Sequence, residues 1–150
     1  MAFTTTKLLR AAEAQVRERL RQRPMIPLVE SVVGSAGLED ESAVSSLAAE
    51  LAKVIGVEVG HLRPTETLRE SLRVHRNELG SEIGKLMTKV GLDDVVDPFA
   101  FGLLDLVERK FREKPTRVES VFFAPAPKNE DEWVERILDL TVADFLRALA

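Results

Sequence analysis

The chain has 150 residues, of which 45% are hydrophobic and 31% charged, and it contains no cysteine. A chain of this size is typical of one globular domain, and the lack of cysteine excludes disulfides and thiolate chemistry. No apolar run approaches the roughly 20 residues of a membrane-spanning helix, and the start of the chain lacks the apolar core of a secretory signal. We therefore expect a cytoplasmic protein without a membrane partner.

The charge of the chain is unevenly distributed. The formal net charge is -4, yet residues 1–23 contain six basic and two acidic side chains. The overall negative charge argues against a general nucleic-acid binder. The basic start predicts that the first helix lies on an acidic surface, either of its own domain or of a partner.

Helical periodicity predicts two long helices in the first third of the chain. The first covers residues 4–22, is rich in good helix formers and ends before Pro24. The second begins after Asp40 or Ser42 and follows a regular apolar stripe to Ile55, with Gly56 as its C-terminal stop. Residues 28–33 between them are short and apolar, which suits either a helical turn or a strand.

Residues 67–90 predict a helix–turn–helix pair. Thr67 and Glu70 have the spacing of a capping box, and the helix that they start is expected to continue to Leu79. A second apolar stripe follows at 83–90. A basic cluster lies at the start of this region, and it predicts either DNA binding, docking of an anionic partner, or a solvated and ion-paired face. Its members are Arg63, Arg69, Arg73, His75 and Arg76.

The last third of the chain predicts three more helices. Asp97 suits the N-cap of a helix with Pro98 in its first position, and the apolar face of this helix runs to Phe111. Residues 118–123 (VESVFF) predict a short strand or an extended buried segment. Residues 130–138 carry Trp133, and Thr141 is expected to cap the final helix.

Four segments stand in the order typical of one known family. They are residues 51–57 (LAKVIGV), 64–68 (PTETL), 104–111 (LDLVERKF) and 140–146 (LTVADFL). They resemble, in turn, the end of the first helix, the long loop, the second helix and the start of the last helix of acyl carrier proteins. The resemblance covers about residues 43–150, with an insertion around 69–92, and it implies a small helical bundle.

The resemblance does not extend to the chemistry of carrier proteins. Those proteins attach phosphopantetheine to a serine at the start of the second helix, where this chain has Asp97 or Pro98. Neither residue has a hydroxyl group, so the chain resembles serine-less relatives of carrier proteins. Ser81, which follows Leu79-Gly80, is the alternative attachment site for a cofactor, although its spacing differs from that of the family.

No motif in the chain indicates an enzyme or a metal site. There is no P-loop and no Gly-rich dinucleotide motif, and His61 and His75 lack the spacing of zinc ligands. We therefore expect no catalytic residue, no metal and no bound cofactor. Because catalytic triads depend on geometry rather than on sequence order, a small hydrolase or transferase stays an alternative.

These observations predict a mostly α-helical protein, a small bundle resembling acyl carrier proteins with at most one short strand. We expect an N-terminal helical extension over residues 1–37 and the carrier-like domain over 38–150. The expected function is a non-enzymatic protein-interaction or regulatory module with a protein partner. The alternatives are a nucleic-acid-binding regulator using residues 63–90 and an acyl carrier using Ser81. The candidate interaction residues are Arg69, Arg73, Arg76, Asp97 and Trp133.

Overall fold

A computed structural model describes residues 5–34, 41–73, 95, 97–113 and 128–150. The described residues form seven α-helices and one short 3₁₀ helix, which confirms the mostly helical class. The α-helices are α1 (Thr5–Arg21), α2 (Leu28–Val33), α3 (Glu41–Ile55), α4 (Leu68–Leu72), α5 (Asp97–Glu113), α6 (Glu130–Leu138) and α7 (Val142–Leu149), and the 3₁₀ helix is Val59–His61. The strand predicted at 118–123 and the second helix predicted at 83–90 lie outside the described residues.

The helices enclose one apolar core. Helix α3 packs against α2, α5 and α7, while α5 also contacts α1 and α6, and α4 contacts α6. The apolar stripes predicted for α1, α3 and α7 face this core, and α1 and α2 contribute to it together with the later helices. Its fully buried members include Ala12, Val16, Leu20, Val32, Leu51, Phe99 and Phe145.

Helices α4 and α7 begin side by side. Each starts at a threonine, as predicted, because the hydroxyl of Thr67 and that of Thr141 accept the backbone N–H three residues later, at 3.1 and 3.0 Å. The two threonines form an isolated antiparallel bridge, in which the Leu68 N–H donates to the Leu140 carbonyl at 2.9 Å. Two local caps and one long-range pairing thus fix both helix starts.

Helix α4 is shorter than the sequence predicts. It was expected to continue to Leu79, but it ends at Leu72 because Arg73 has extended backbone angles (φ -65°, ψ 132°). Arg73 pairs there with Val95 in an antiparallel bridge. The first helix of the predicted helix–turn–helix therefore has only five residues.

Arginines of α1 contact the carbonyl ends of other helices. The C-terminal carbonyls of a helix lack partners within the helix and carry partial negative charge, so they attract guanidinium groups. The contacts are Arg17 Nε to Ile55 O (2.9 Å), Arg21 Nη2 to Gly56 O (2.7 Å), Arg19 Nη2 to Ser71 O (2.7 Å) and Arg19 Nη1 to Arg73 O (2.7 Å).

The sequence predicted an acidic surface beneath the first helix, and one such contact is present: Glu66 binds Arg23, just after α1, at 2.9 Å. The basic residues at the start of the chain are thus bound both by a carboxylate and by backbone carbonyls at the ends of other helices.

Replacing Arg19 with alanine is expected to lower the free energy of unfolding by about 1–2 kcal/mol, because two charge-assisted hydrogen bonds to the end of α4 are lost. Urea denaturation measures the change. Arg10→Ala on the same helix is the matched control, since Arg10 is exposed, and it is expected to change stability by less than about 0.5 kcal/mol. Equal effects of the two substitutions would contradict a specific role for Arg19.

Helix α5 is held closely against α3. A Cβ atom added at Gly102 would lie 2.7 Å from Cγ1 of Val54, so the two helices approach to a distance that only glycine permits here. Further along, Lys110 Nζ lies 3.0 Å from Glu50 Oε2. Burial lowers the pKa of Lys110, but the interactions with the carboxylates of Glu50 and Glu113 together outweigh this effect and the pKa rises. These contacts fix the position of α5, whose other side faces α6.

Candidate functional site

A groove with a volume of about 610 Å³ lies between α5 and α6. Its apolar wall contains two buried residues, Leu104 and Val107, and two half-buried aromatic residues, Phe111 and Trp133. Exposed polar residues form the rest of its lining, which we call the rim. The rim consists of Glu108, Arg112, Lys128, Asn129 and Glu130.

An exposed phenylalanine extends the apolar wall along α5. Phe101 is 58% exposed. It precedes Leu104 by three residues and Glu108 by seven, and these spacings bring side chains to one face of a helix. An aromatic side chain that contacts solvent on the face of a groove is a common feature of binding surfaces.

The start of α6 is fixed by two hydrogen bonds that position Trp133. The side chain of Asn129 caps the helix by accepting the Glu132 N–H at 2.9 Å, and the Lys128 N–H donates to Glu132 Oε2 at 2.9 Å. The bond from the Lys128 backbone lowers the pKa of Glu132, and Arg136 lowers it further. Glu132 is therefore engaged by its own helix, and Trp133 faces the groove from a well-formed first turn.

The opposite side of α6 is bound to α4 through Arg69. Its Nε lies 3.1 Å from Asp139 Oδ1, and its Nη2 forms an ion pair with Glu135. Partial burial lowers the pKa of Arg69, but the hydrogen bonds with Asp139 and Glu135 outweigh this effect and the pKa rises. Because Glu135 is two residues from Trp133, it lies on the far side of the helix. Arg69 is thus used within the bundle, away from the groove.

The other predicted site residues do not join the groove within the described part of the chain. Arg73 is exposed at the end of α4. Asp97 begins α5, but its side chain lies outside the described residues, as do Arg76 and Ser81. Of the five predicted interaction residues, Trp133 is the one that the structure places in the groove.

The rim was not predicted from the sequence. Glu108, Arg112 and Lys128 are charged residues that nothing in the sequence distinguishes from ordinary surface positions. Phe101 offered a usable signal, because it falls outside the apolar face of its helix and yet is a large hydrophobic residue. Pairing it with Trp133, more than thirty residues away, requires the packing of α5 on α6.

Neither a group of metal ligands nor a membrane-spanning helix is found in the described part of the chain. Across the described ranges, no three acidic or histidine side chains are grouped so that they could hold a metal ion. None of the helices in this part of the chain combines the length and apolar character needed to cross a membrane. The chain matches no protein-family model, no curated protein and no solved structure. Inferences about function therefore depend on the groove itself.

Proposed function

We propose that this chain is a non-enzymatic protein-interaction module, a carrier-protein-like bundle without the phosphopantetheine serine, which binds a helical segment of a partner protein in the groove between α5 and α6. One observation carries the proposal: an apolar groove with two half-buried aromatic residues, a charged rim and an exposed phenylalanine beside it on α5. Grooves of this kind accept the apolar face of an amphipathic helix. Aromatic residues and arginine are the types enriched at interfaces, and here they are Phe101, Phe111, Arg112 and Trp133.

A nucleic-acid-binding role for residues 63–90 receives less support. Arg69 is engaged by two carboxylates of α6, and Arg63 donates to the carbonyls of Pro24 (2.6 Å) and Gly60 (3.0 Å). These two guanidinium groups are therefore committed to contacts within the chain, whereas phosphate binding needs cations that face solvent.

The proposal is tested by selecting helical peptides from a displayed library on the full chain. Trp133 is the only tryptophan, so its emission reports occupation of the groove when the peptides contain none. Selected peptides are expected to bind with micromolar affinity and to shift this emission. Phe101→Ala is expected to weaken binding about tenfold or more, because an exposed aromatic side chain on the same helix face beside the groove is lost.

Met25→Ala provides the matched control. Met25 is the other exposed large hydrophobic residue in the described part of the chain, at 55%, and it lies against Gly60 rather than in the groove. Its replacement is expected to leave peptide affinity unchanged. Peptides that leave the emission of Trp133 unaltered would show that the groove is not the docking site. Peptides that bind Phe101→Ala as tightly as the unmodified chain would show that the docking surface does not extend to Phe101.

A further inference from the structure

We infer that two copies of this chain associate through the exposed face of α5, with the two helices antiparallel. This face is formed by four residues spaced by four, three and four positions, which brings their side chains into one line along a helix. They are Phe101, Asp105, Glu108 and Arg112, and all four are exposed. The face shares Glu108 and Arg112 with the rim of the groove, but its association with a second copy does not require a partner helix in the groove.

The charges along this face change sign halfway. Asp105 and Glu108 come first, and Arg109 and Arg112 follow them toward the C-terminus of α5. An interface between two identical copies related by a two-fold axis must be complementary to itself. A parallel pair of helices would place like charges opposite each other, whereas an antiparallel pair brings the acidic half of each helix against the basic half of the other. The order of the charges therefore favours an antiparallel pair.

One alignment of the two helices pairs all four charges. When the pair is centred between Glu108 and Arg109, these two residues lie opposite each other in the two copies. In the same alignment, Asp105 of each copy lies opposite Arg112 of the other. The two-fold symmetry doubles both contacts along about two turns of helix. Phe101 is about 11 Å from the centre, at 1.5 Å per residue, so each Phe101 lies near the end of the other copy's α5.

The charged side chains of this face are available to a second copy. Glu108 and Arg112 have no ion pair in the described part of the chain. Arg109 lies 3.6 Å from Asp105 and 3.5 Å from Glu50, and its side chain is 46% exposed while that of Asp105 is 70% exposed. Surface ion pairs of this kind contribute little to stability, so these side chains can turn to a new partner at little cost.

The association is expected to be weak and to depend on concentration. Two helices in contact over two or three turns bury less than the roughly 1,200 Å² of a stable interface, so we expect a dissociation constant on the order of 100 µM. The net charge of -4 on each copy opposes association. The arrangement of the charges on α5, rather than their sum, therefore has to favour the pair.

Sedimentation velocity of the full chain tests the inference. The average mass is expected to rise from that of a monomer toward that of a dimer as the concentration passes through this range. Asp105→Arg and Arg112→Glu are each expected to weaken association about tenfold, because each places two pairs of like charges across the symmetric interface. Arg10→Glu makes the same charge change as Arg112→Glu at an exposed position of α1 and is expected to leave association unaltered.

A mixture of the two charge-reversal variants tests the antiparallel arrangement. In a pair with one copy of each variant, the introduced arginine faces the introduced glutamate, and the unchanged Arg112 faces the unchanged Asp105. The mixture is therefore expected to associate about as tightly as the unmodified chain. Circular dichroism checks that both variants fold, and Glu108→Arg with Arg109→Glu replaces the first pair if Asp105→Arg does not.

Three outcomes would overturn the inference. The first is a monomer at every concentration up to about 1 mM, which is well above the expected dissociation constant. The second is a dimer that neither charge reversal weakens, since its interface would lie elsewhere. The third is a mixture that associates no more tightly than its components, which would exclude the antiparallel pair. None of these outcomes affects the proposed binding of a helix in the groove, because that binding is measured through Trp133.

Discussion

Replacing Phe99 with alanine is expected to lower the free energy of unfolding by about 3–5 kcal/mol, the usual cost of removing a buried aromatic side chain. Phe99 is 1% exposed, in the first turn of α5. The guanidinium carbon of Arg17 lies 5.4 Å from the centre of its ring, in the range of a cation–π contact. The substitution therefore removes core volume and a contact that joins α1 to α5. Urea denaturation followed by circular dichroism measures the loss.

Phe101→Ala is the matched control, since the same change is made two residues further along the same helix on a side chain that is 58% exposed. Its expected effect on stability is within about 0.5 kcal/mol. If Phe99→Ala does not fold, Phe99→Leu serves in its place, with an expected loss of about 1–2 kcal/mol. Similar stability losses at the two phenylalanines would mean that Phe99 is not part of the core.

The two phenylalanines also separate the roles of α5. Phe99 fixes the helix in the bundle, whereas Phe101 extends the surface that we propose for docking. A variant that loses peptide binding while keeping its stability, as expected for Phe101→Ala, distinguishes recognition from folding. A loss of peptide binding in Phe99→Ala would instead follow from the loss of stability alone.

Local signals in the sequence were sufficient to predict many of the helix bounds and caps. The bounds of α6 and the caps at Thr67 and Thr141 were predicted correctly, because capping and apolar periodicity depend on residues within one turn of each other. The end of α3 at Ile55 was predicted from Gly56 for the same reason. These features are decided by short stretches of chain, so a single sequence reveals them.

Features that depend on distant partners were not predicted. Arg19 binds carbonyls more than fifty residues away, and a carbonyl acceptor has no distinguishing residue type. The early end of α4 involves the bridge between Arg73 and Val95, which is equally long-range. The groove had Trp133 and Phe101 as signals, but neither shows that α5 packs on α6, and the charged rim consists of side chains that look like ordinary surface residues.

The contact between α1 and the end of α3 leads to a second large effect. Gly56→Ala is expected to lower the free energy of unfolding by about 2–4 kcal/mol. Gly56 has a φ of +88°, which costs a residue with a Cβ atom roughly 1–2 kcal/mol. The added Cβ would also lie 2.5 Å from Nε of Arg17, so the guanidinium group must leave the Ile55 carbonyl that it binds at 2.9 Å. Thermal and urea unfolding measure the combined loss of stability.

A double-mutant cycle separates the two causes. In an Arg17→Ala background the clash disappears while the backbone strain remains, so Gly56→Ala is expected to cost only about 1–2 kcal/mol there. Arg17→Ala by itself loses a charge-assisted hydrogen bond and the contact with Phe99, and about 1–3 kcal/mol is expected. Full additivity of the two substitutions would mean that Arg17 moves aside without loss. In that case the glycine would be required by its backbone angles alone, and the docking of α1 on the end of α3 would not depend on its small size.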